Sequence, residues 1–294
     1  MIVTSQSSNA LSCTSGAWKI WSLSDGHVDM SADLLRRGPG LGKYALPGLS
    51  QQEPSLVRLS VNCFLVERAG SQGVLIDCGA GGQWEPSLGH LDRAMAEAGI
   101  DPSSIGVVAL THTHLDHLNG LITRDGRVAF SNLSRIVIAH DAVGGFVDEP
   151  HLQRFRHLLA PVGDGDRLND HLAALAMPGH APGHMAYAFD SGEDRILFCG
   201  DLIHVPAAQF ARPELTWAYD LDQSMACATR INLLREASNT QAWLAGAHMA
   251  KPGIGRVVEE GSGYAFCRSR KAGVYQTFPA IVLAMSIRTP GERR

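Results

Sequence analysis

The chain has 294 residues, 45% of them hydrophobic and 18% charged, with a formal net charge of −4; that is enough to bury a sizeable core in one large domain or two small ones. The densest basic stretch, CRSRK at 267–271, is short, so the electrostatic footprint of a nucleic-acid binder is missing. None of the six cysteines stands in a C-x-x-C pair, no apolar run reaches the length of a membrane span, and the Ser-rich start lacks a basic-then-apolar signal, so a reducing, cytoplasmic setting without a membrane partner is expected.

Taken in chain order, residues 1–17 are polar and are expected to be a flexible N-terminal segment. WKIWSLSDG at 18–26 reads as a strand and turn, and the Gly- and Pro-rich stretch 27–55 as a long loop. VRLSVNCFLVE (57–67) and GVLIDCG (73–79) are β-rich and separated by a turn. A helix is expected over about 87–98, stopped by Gly99. GVVALTH (106–112) and RIVIAH (135–140) read as strands, 151–160 as helical, and HLAALAM (171–177), MAYAFD (185–190) and RILFCGD (195–201) as further strands. DQSMACATRINLLREA (222–237) is a helix with Asp222 as its N-cap. AWLAGAH (242–248) is a last buried strand, and 256–266 a hairpin. Strands and helices that alternate in this way suit a layered α/β domain with sheets inside and helices outside. No linker divides it, so one domain is expected over 18–266, followed by a tail, 267–294, of unknown role.

The chemistry concentrates in THTHLDHLNG, 111–120, where His112, His114, Asp116 and His117 fall within six positions. Residues i and i+2 of an extended chain point the same way, so His112 and His114 can reach one ion from a strand end. Asp116 and His117 follow where the chain turns and can face a second ion, the carboxylate lowering the positive charge of the site. Three later stretches end apolar strands on a ligand type: PGHAPGH with His180 and His184, FCGD with Asp201, and AGAH with His248. Each is weak alone; together with the cluster they point to a metal centre. The aromatics Trp84, Phe146, Phe155, Phe210 and Trp217 read mostly as core, with the option of pocket walls.

This order of motifs, H-x-H-x-D-H, a later His, a later Asp and a final His, resembles the metallo-β-lactamase superfamily over about residues 18–266. The resemblance implies a four-layer αβ/βα sandwich with the site at one edge of two facing sheets. It implies two divalent ions, zinc foremost and Mn²⁺, Fe²⁺ or Co²⁺ left open, since His/Asp sites accept all of these. His112, His114 and His180 would hold the first ion, Asp116, His117 and His248 the second, and Asp201 both, with His184 in no ligand role. Asp201 argues for the dinuclear hydrolase branch and against antibiotic hydrolysis. Within the superfamily, 77–100, 200–222 and 248–266 look like the methyl parathion hydrolase clade, whose members cleave aryl phosphotriesters or lactones and esters and which implies a homodimer. His204 and Tyr219 match pocket-lining positions where the lactone-hydrolysing members carry a His and an aromatic. The N-acyl homoserine lactonases carry a Tyr in place of His204, which makes their substrate the weaker candidate. Leu115 and Asn119 depart from the Pro and Gly common in the clade, without touching the ligands.

The expected activity is opening of a small lactone or cleavage of a carboxylic ester by a hydroxide that the two ions share. Asp116 or Asp201 would accept the proton, His204 would donate a hydrogen bond to the oxyanion, and His204 and Tyr219 would bind substrate. The alternatives are an aryl phosphotriesterase and, as a different class, a metal-binding protein without turnover. A glyoxalase II type thioesterase fits less well, because 249–294 is too short for that branch's helical domain.

Overall fold

The apolar runs pair into two mixed sheets flanked by helices in the computed structural model, which describes residues 1–47, 55–82, 84–271, 274–277 and 282–283. In the first sheet Ile2–Gln6, Ala10–Ser15, Trp18–Ser31, Leu56–Arg68, Gly73–Ile76, Ile105–Ala109, Arg135–Ala139 and Leu159–Val162 lie side by side in that order. Pairing is antiparallel as far as Gly73–Ile76 and parallel beyond it. The second sheet runs Arg167–Asn169, Leu172–Ala176, Met185–Asp190, Arg195–Phe198, Trp243–Ala245, Ile254–Glu260, Gly263–Lys271 and Val274–Thr277. It is antiparallel except where Arg195–Phe198 runs parallel to Trp243–Ala245.

Parallel neighbours need a crossover, and helices supply it. Leu91–Ala98 links Gly73–Ile76 to Ile105–Ala109 and ends on Gly99 at φ 67°, a left-handed cap that suits glycine. Gln223–Thr240 links Arg195–Phe198 to Trp243–Ala245, and the Asp222 carboxylate accepts from the Met225 N–H at 2.9 Å as its N-cap. Alternation divides the core: Ile196 and Phe198 face the first sheet, where Phe64 and Phe198 rings sit 5.4 Å apart, while Leu197 and Cys199 face Leu233, Leu234 and Ala237 of the helix. All six cysteines are unpaired. Among the described residues no helix is long and apolar enough to cross a membrane.

The segment 1–17, expected to be loose, instead adds two strands to the sheet edge, and Ser12, Cys13 and Ser15 are buried. Its polar side chains misled because they are satisfied within the fold: Thr4 and Ser12 bond each other, as do Ser15 and Ser191. The expected loop 27–55 is also partly strand. Trp18–Ser31 pairs along its length with Leu56–Arg68, and Leu35–Arg36 forms a small ribbon with Thr216–Trp217. The expected helix at 151–160 is a 3-10 helix over Pro150–Leu158 that passes into a strand. The expected tail begins inside the strand Gly263–Lys271; 272–273, 278–281 and 284–294 lie outside the described residues, as do 48–54.

Candidate metal centre

One parallel pair of each sheet borders the site, Gly73–Ile76 with Ile105–Ala109 and Arg195–Phe198 with Trp243–Ala245, and the loops that leave the carboxyl ends of those strands carry much of the chemistry. Asp77 follows Gly73–Ile76, the His112–His117 motif follows Ile105–Ala109, Asp201 follows Arg195–Phe198, and His248 follows Trp243–Ala245. Carboxyl ends of parallel strands are the usual site of ligand binding in α/β sheets. The sheets are stitched here by backbone and side chain. Met185 N donates to Thr111 O at 2.8 Å, the Tyr187 hydroxyl to Leu110 O at 2.7 Å, and Asn62 N to Ala247 O at 3.0 Å.

His114 keeps an extended backbone as the N-cap of a single helical turn, Leu115–Leu118. The switch from extended to helical swings Asp116 and His117 away from His112 and His114. Two donor sets result. Ligand-type atoms of His112, His114, His180 and Asp201 lie within 4.8 Å of one another, as do those of Asp116, His117 and His248. Asp201 stands between them: Oδ1 is 3.2 Å from His117 Nε2, and Oδ2 is 2.9 Å from His248 Nε2 and 3.4 Å from His180 Nε2. Most of these groups are buried; His114 is the exposed one and marks the open side.

The far ring nitrogens are held by protein. His117 Nδ1 lies 2.8 Å from the Asp77 carboxylate, His180 Nδ1 2.9 Å from Asp220, His248 Nδ1 2.8 Å from Ser60 O, and His112 Nδ1 3.1 Å from the Thr111 hydroxyl. Thr111 in turn donates its N–H and hydroxyl to Asp77, at 2.7 and 2.8 Å. Such partners orient ligand rings and raise their basicity. They leave His112 Nε2, His117 Nε2 and Asp201 Oδ1 buried with no hydrogen-bond partner. Orphaned buried polar atoms are costly, and here they converge from two loops, one from each sheet. An N/O donor set of this kind fits two divalent cations of the Zn²⁺, Mn²⁺, Fe²⁺ or Co²⁺ class.

Charge within the cluster is polarised. Burial disfavours a charge on His117, yet Asp201, Asp116 and Asp77 outweigh it and hold the imidazole well above its usual range. Burial likewise opposes ionisation of Asp201, but His117, His248 and His112 hold it well below the usual carboxylate range. His184 is the reverse case: burial, then the neighbouring His180, push it down to about 3. Its neutral ring accepts from the Asp201 N–H at 3.1 Å and so must donate through Nδ1 to Met177 O at 2.9 Å. His184 therefore braces the Asp201 loop without offering a donor. Gly200, at φ 52°, makes that brace possible, because a Cβ there would lie 2.6 Å from His184 Nε2.

His204 is buried beside the cluster. Its Nε2 is 3.6 Å from Asp201 Oδ2, its Nδ1 has no partner, and its ring stacks on Trp217 at 5.1 Å and 9°. Burial lowers its pKa to about 4. Tyr219 is 59% exposed and edge-on to Trp217. Phe146, Phe155 and Phe210 are core, and Trp84 is exposed. Leu115 is solvent-facing, and Asn119 Oδ1 accepts from His151 Nε2 at 2.8 Å. Sequence reasoning gave no role to Asp77, Thr111, Asp220 or Ser60. Asp77 ends an apolar strand just as Asp201 does, which is a signal that could have found it; Ser60 acts through its carbonyl, which no side chain reports.

A model of the metallo-beta-lactamase superfamily matches residues 56–248. Ribonuclease TTHA0252 of Thermus thermophilus is 32% identical over 151 residues, 46% of this chain and 33% of that protein. Hydroxyacylglutathione hydrolase of Aliivibrio fischeri is 31% identical over 102 residues, 34% of this chain and 33% of that protein; the chain thus spans about a third of these curated relatives. Among solved structures, AidC, a dizinc quorum-quenching lactonase, superposes with a TM-score of 0.77 at 20% identity, covering 92% of this chain and 98% of its own. The hydrolase AbOPH, of the beta lactamase superfamily, gives 0.75 at 24%, covering 89% and 98%. At these identities the superpositions establish the fold, and the family match spans most of the chain. The chain belongs to the metallo-beta-lactamase superfamily.

Proposed function

We propose that the protein is a dinuclear metal-dependent hydrolase that opens a lactone or cleaves a carboxylic ester. The observation that carries this reading is the shared carboxylate: Asp201 stands between two His/Asp donor sets, each with one buried ring nitrogen, His112 Nε2 and His117 Nε2, that has no partner. His112, His114 and His180 would hold one ion, Asp116, His117 and His248 the other, and Asp201 both. Bound divalent ions supply Lewis acidity that activates water at neutral pH and polarises a carbonyl. The chain's own groups do the rest. Asp116 or Asp201 accepts the proton as the leaving oxygen departs. His204, neutral and desolvated, donates one hydrogen bond where the oxyanion develops. Tyr219, exposed and edge-on to Trp217, forms a wall for the substrate. AidC, described in complex with an acyl-homoserine product, adds N-acyl homoserine lactones to the substrates worth testing.

The test is hydrolysis of dihydrocoumarin, an aryl δ-lactone, by zinc- or manganese-loaded protein beside an aryl phosphotriester and an acyl-homoserine lactone. Lactone opening that outpaces phosphotriester turnover supports the reading. No lactone or ester turnover from fully loaded protein overturns it. In the active protein His204→Ala is expected to lower kcat about 100-fold with metal content unchanged, as loss of an oxyanion donor does; an unchanged kcat removes His204 from the chemistry.

A further inference from the structure

Arg230 lies in the middle of the helix Gln223–Thr240 and is fully buried. Among the described residues no carboxylate forms an ion pair with it. Its guanidinium donates to three backbone carbonyls: Nε to Pro213 O at 2.9 Å, Nη1 to Leu202 O at 2.8 Å, and Nη2 to Leu215 O at 2.5 Å. A buried cation satisfied by neutral dipoles is an expensive way to fill a core. A packed Leu or Met would fill the same space without that cost, so the contacts point to a geometric role.

All three acceptors belong to one segment, 202–215, which leaves Asp201 and returns to Trp217. Leu202 is the residue after Asp201. Leu215 comes just before the short strand Thr216–Trp217, whose indole stacks on His204. A second buried side chain closes the same segment from inside. Gln209 Oε1 accepts from the N–H groups of His204 and Val205 at 2.8 and 2.9 Å, and its Nε2 donates to Leu215 O at 3.1 Å. Leu215 O is therefore shared by Arg230 and Gln209, and the chain of contacts runs Arg230, Leu215, Gln209, His204. His204 makes no side-chain hydrogen bond through Nδ1. Its ring is located by the Trp217 face, by His248 stacked at 5.3 Å, and by its own backbone.

We propose that Arg230, acting with Gln209, is a positioning residue that sets the place of the His204–Trp217 pair relative to Asp201. The inference rests on the hydrolase reading for its kinetic consequence, but not for its structural one. Lysine cannot reproduce a planar three-way fork, so it restores only part of the function. Displacements on the order of 1 Å at a reacting group cost up to about 100-fold in rate, which sets the scale of the effect.

The experiment compares zinc-loaded wild type, Arg230→Met, Arg230→Lys and Gln209→Leu. It measures metal content, kcat and KM for dihydrocoumarin separately, and the long-range ¹H–¹⁵N correlations of the histidine rings, with His204 assigned by its absence in His204→Ala. The expected result is two metals per chain throughout, kcat lowered about tenfold or more in Arg230→Met with KM little changed, partial recovery in Arg230→Lys, and a shifted His204 ring signal in Arg230→Met and Gln209→Leu. A folded, metal-loaded Arg230→Met with unchanged kcat and an unmoved His204 signal overturns the proposal. If Arg230→Met does not fold, Arg230→Lys and Gln209→Leu carry the same test: an unmoved His204 signal in both overturns it. If wild type has no lactonase activity, the hydrolase reading fails by itself and the ring signals alone decide the role of Arg230.

Discussion

Four of the candidate ligand rings are held by a hydrogen bond at the nitrogen that faces away from the cluster, and the partners differ in kind. Asp77 does most, since one carboxylate orients His117 and fixes Thr111, whose hydroxyl reaches His112. Replacing it by Asn keeps the shape but removes the charge and one acceptor. Asp77→Asn is expected to weaken metal affinity about 10–100-fold, read by competition with a chromogenic chelator; unchanged affinity would mean that Thr111 and packing suffice to aim the rings. The candidate ligands themselves were visible in the sequence because H-x-H-x-D-H is a dense local pattern. Asp220 and Ser60 were not, because their partners are 40 and 188 residues away and only the fold brings them together.

At the scale of elements, local signals worked where an element is delimited by its own residues. The helix Gln223–Thr240 begins where Asp222 predicts, because the carboxylate satisfies an N–H that the helix cannot. Asp222→Ala is expected to cost about 0.5–2 kcal/mol of stability, measured by urea unfolding with the metal bound. The strand Leu56–Arg68 was read almost whole, but its partner Trp18–Ser31 only over its first part, since the remainder owes its form to the pairing. Asp29 and Arg58 face across that pairing and form a two-pronged ion pair, at 2.8 and 2.7 Å. The Arg58 hydrogen bonds hold Asp29 below the usual carboxylate range. A carboxylate lowered in the folded state stabilises above its unfolded pKa, about 3.9, and loses that contribution as pH falls through the folded value. Both side chains are partly exposed, so the pair contributes less than about 1 kcal/mol. Asp29→Asn should therefore be slightly less stable than wild type at pH 7, with a smaller gap at an acid pH below the unfolded value of about 3.9. A gap of equal size at both values would assign the effect to packing instead of charge.

For the whole molecule the cluster is also a stability element. Loops from both sheets meet at it, and their buried carboxylates and imidazoles pair imperfectly without a cation. Ions that bind the folded state alone raise stability by mass action, by about 4 kcal/mol at a thousandfold excess over Kd. Chelation is expected to lower Tm by several degrees and re-addition of zinc to restore it, measured by calorimetry on the same sample. A Tm indifferent to chelator would mean that the two sheets hold the site open by packing alone.

The sequence by itself determined the family, the layered α/β class, most strand and helix positions and the candidate ligands, because each of these is written in short-range patterns: periodicity, caps, and ligand spacings that follow strand ends. The tertiary structure alone decided the rest. It turned residues 1–17 from an apparent flexible lead into sheet edge, since a polar strand is ordered by the partner it pairs with. It brought Asp77, Asp220 and Ser60 behind the ligand rings. It placed Arg230, which on the helix reads as one more surface charge, in the core beneath the His204 loop, because burial of a single position is set by what packs over it and not by its neighbours in the chain.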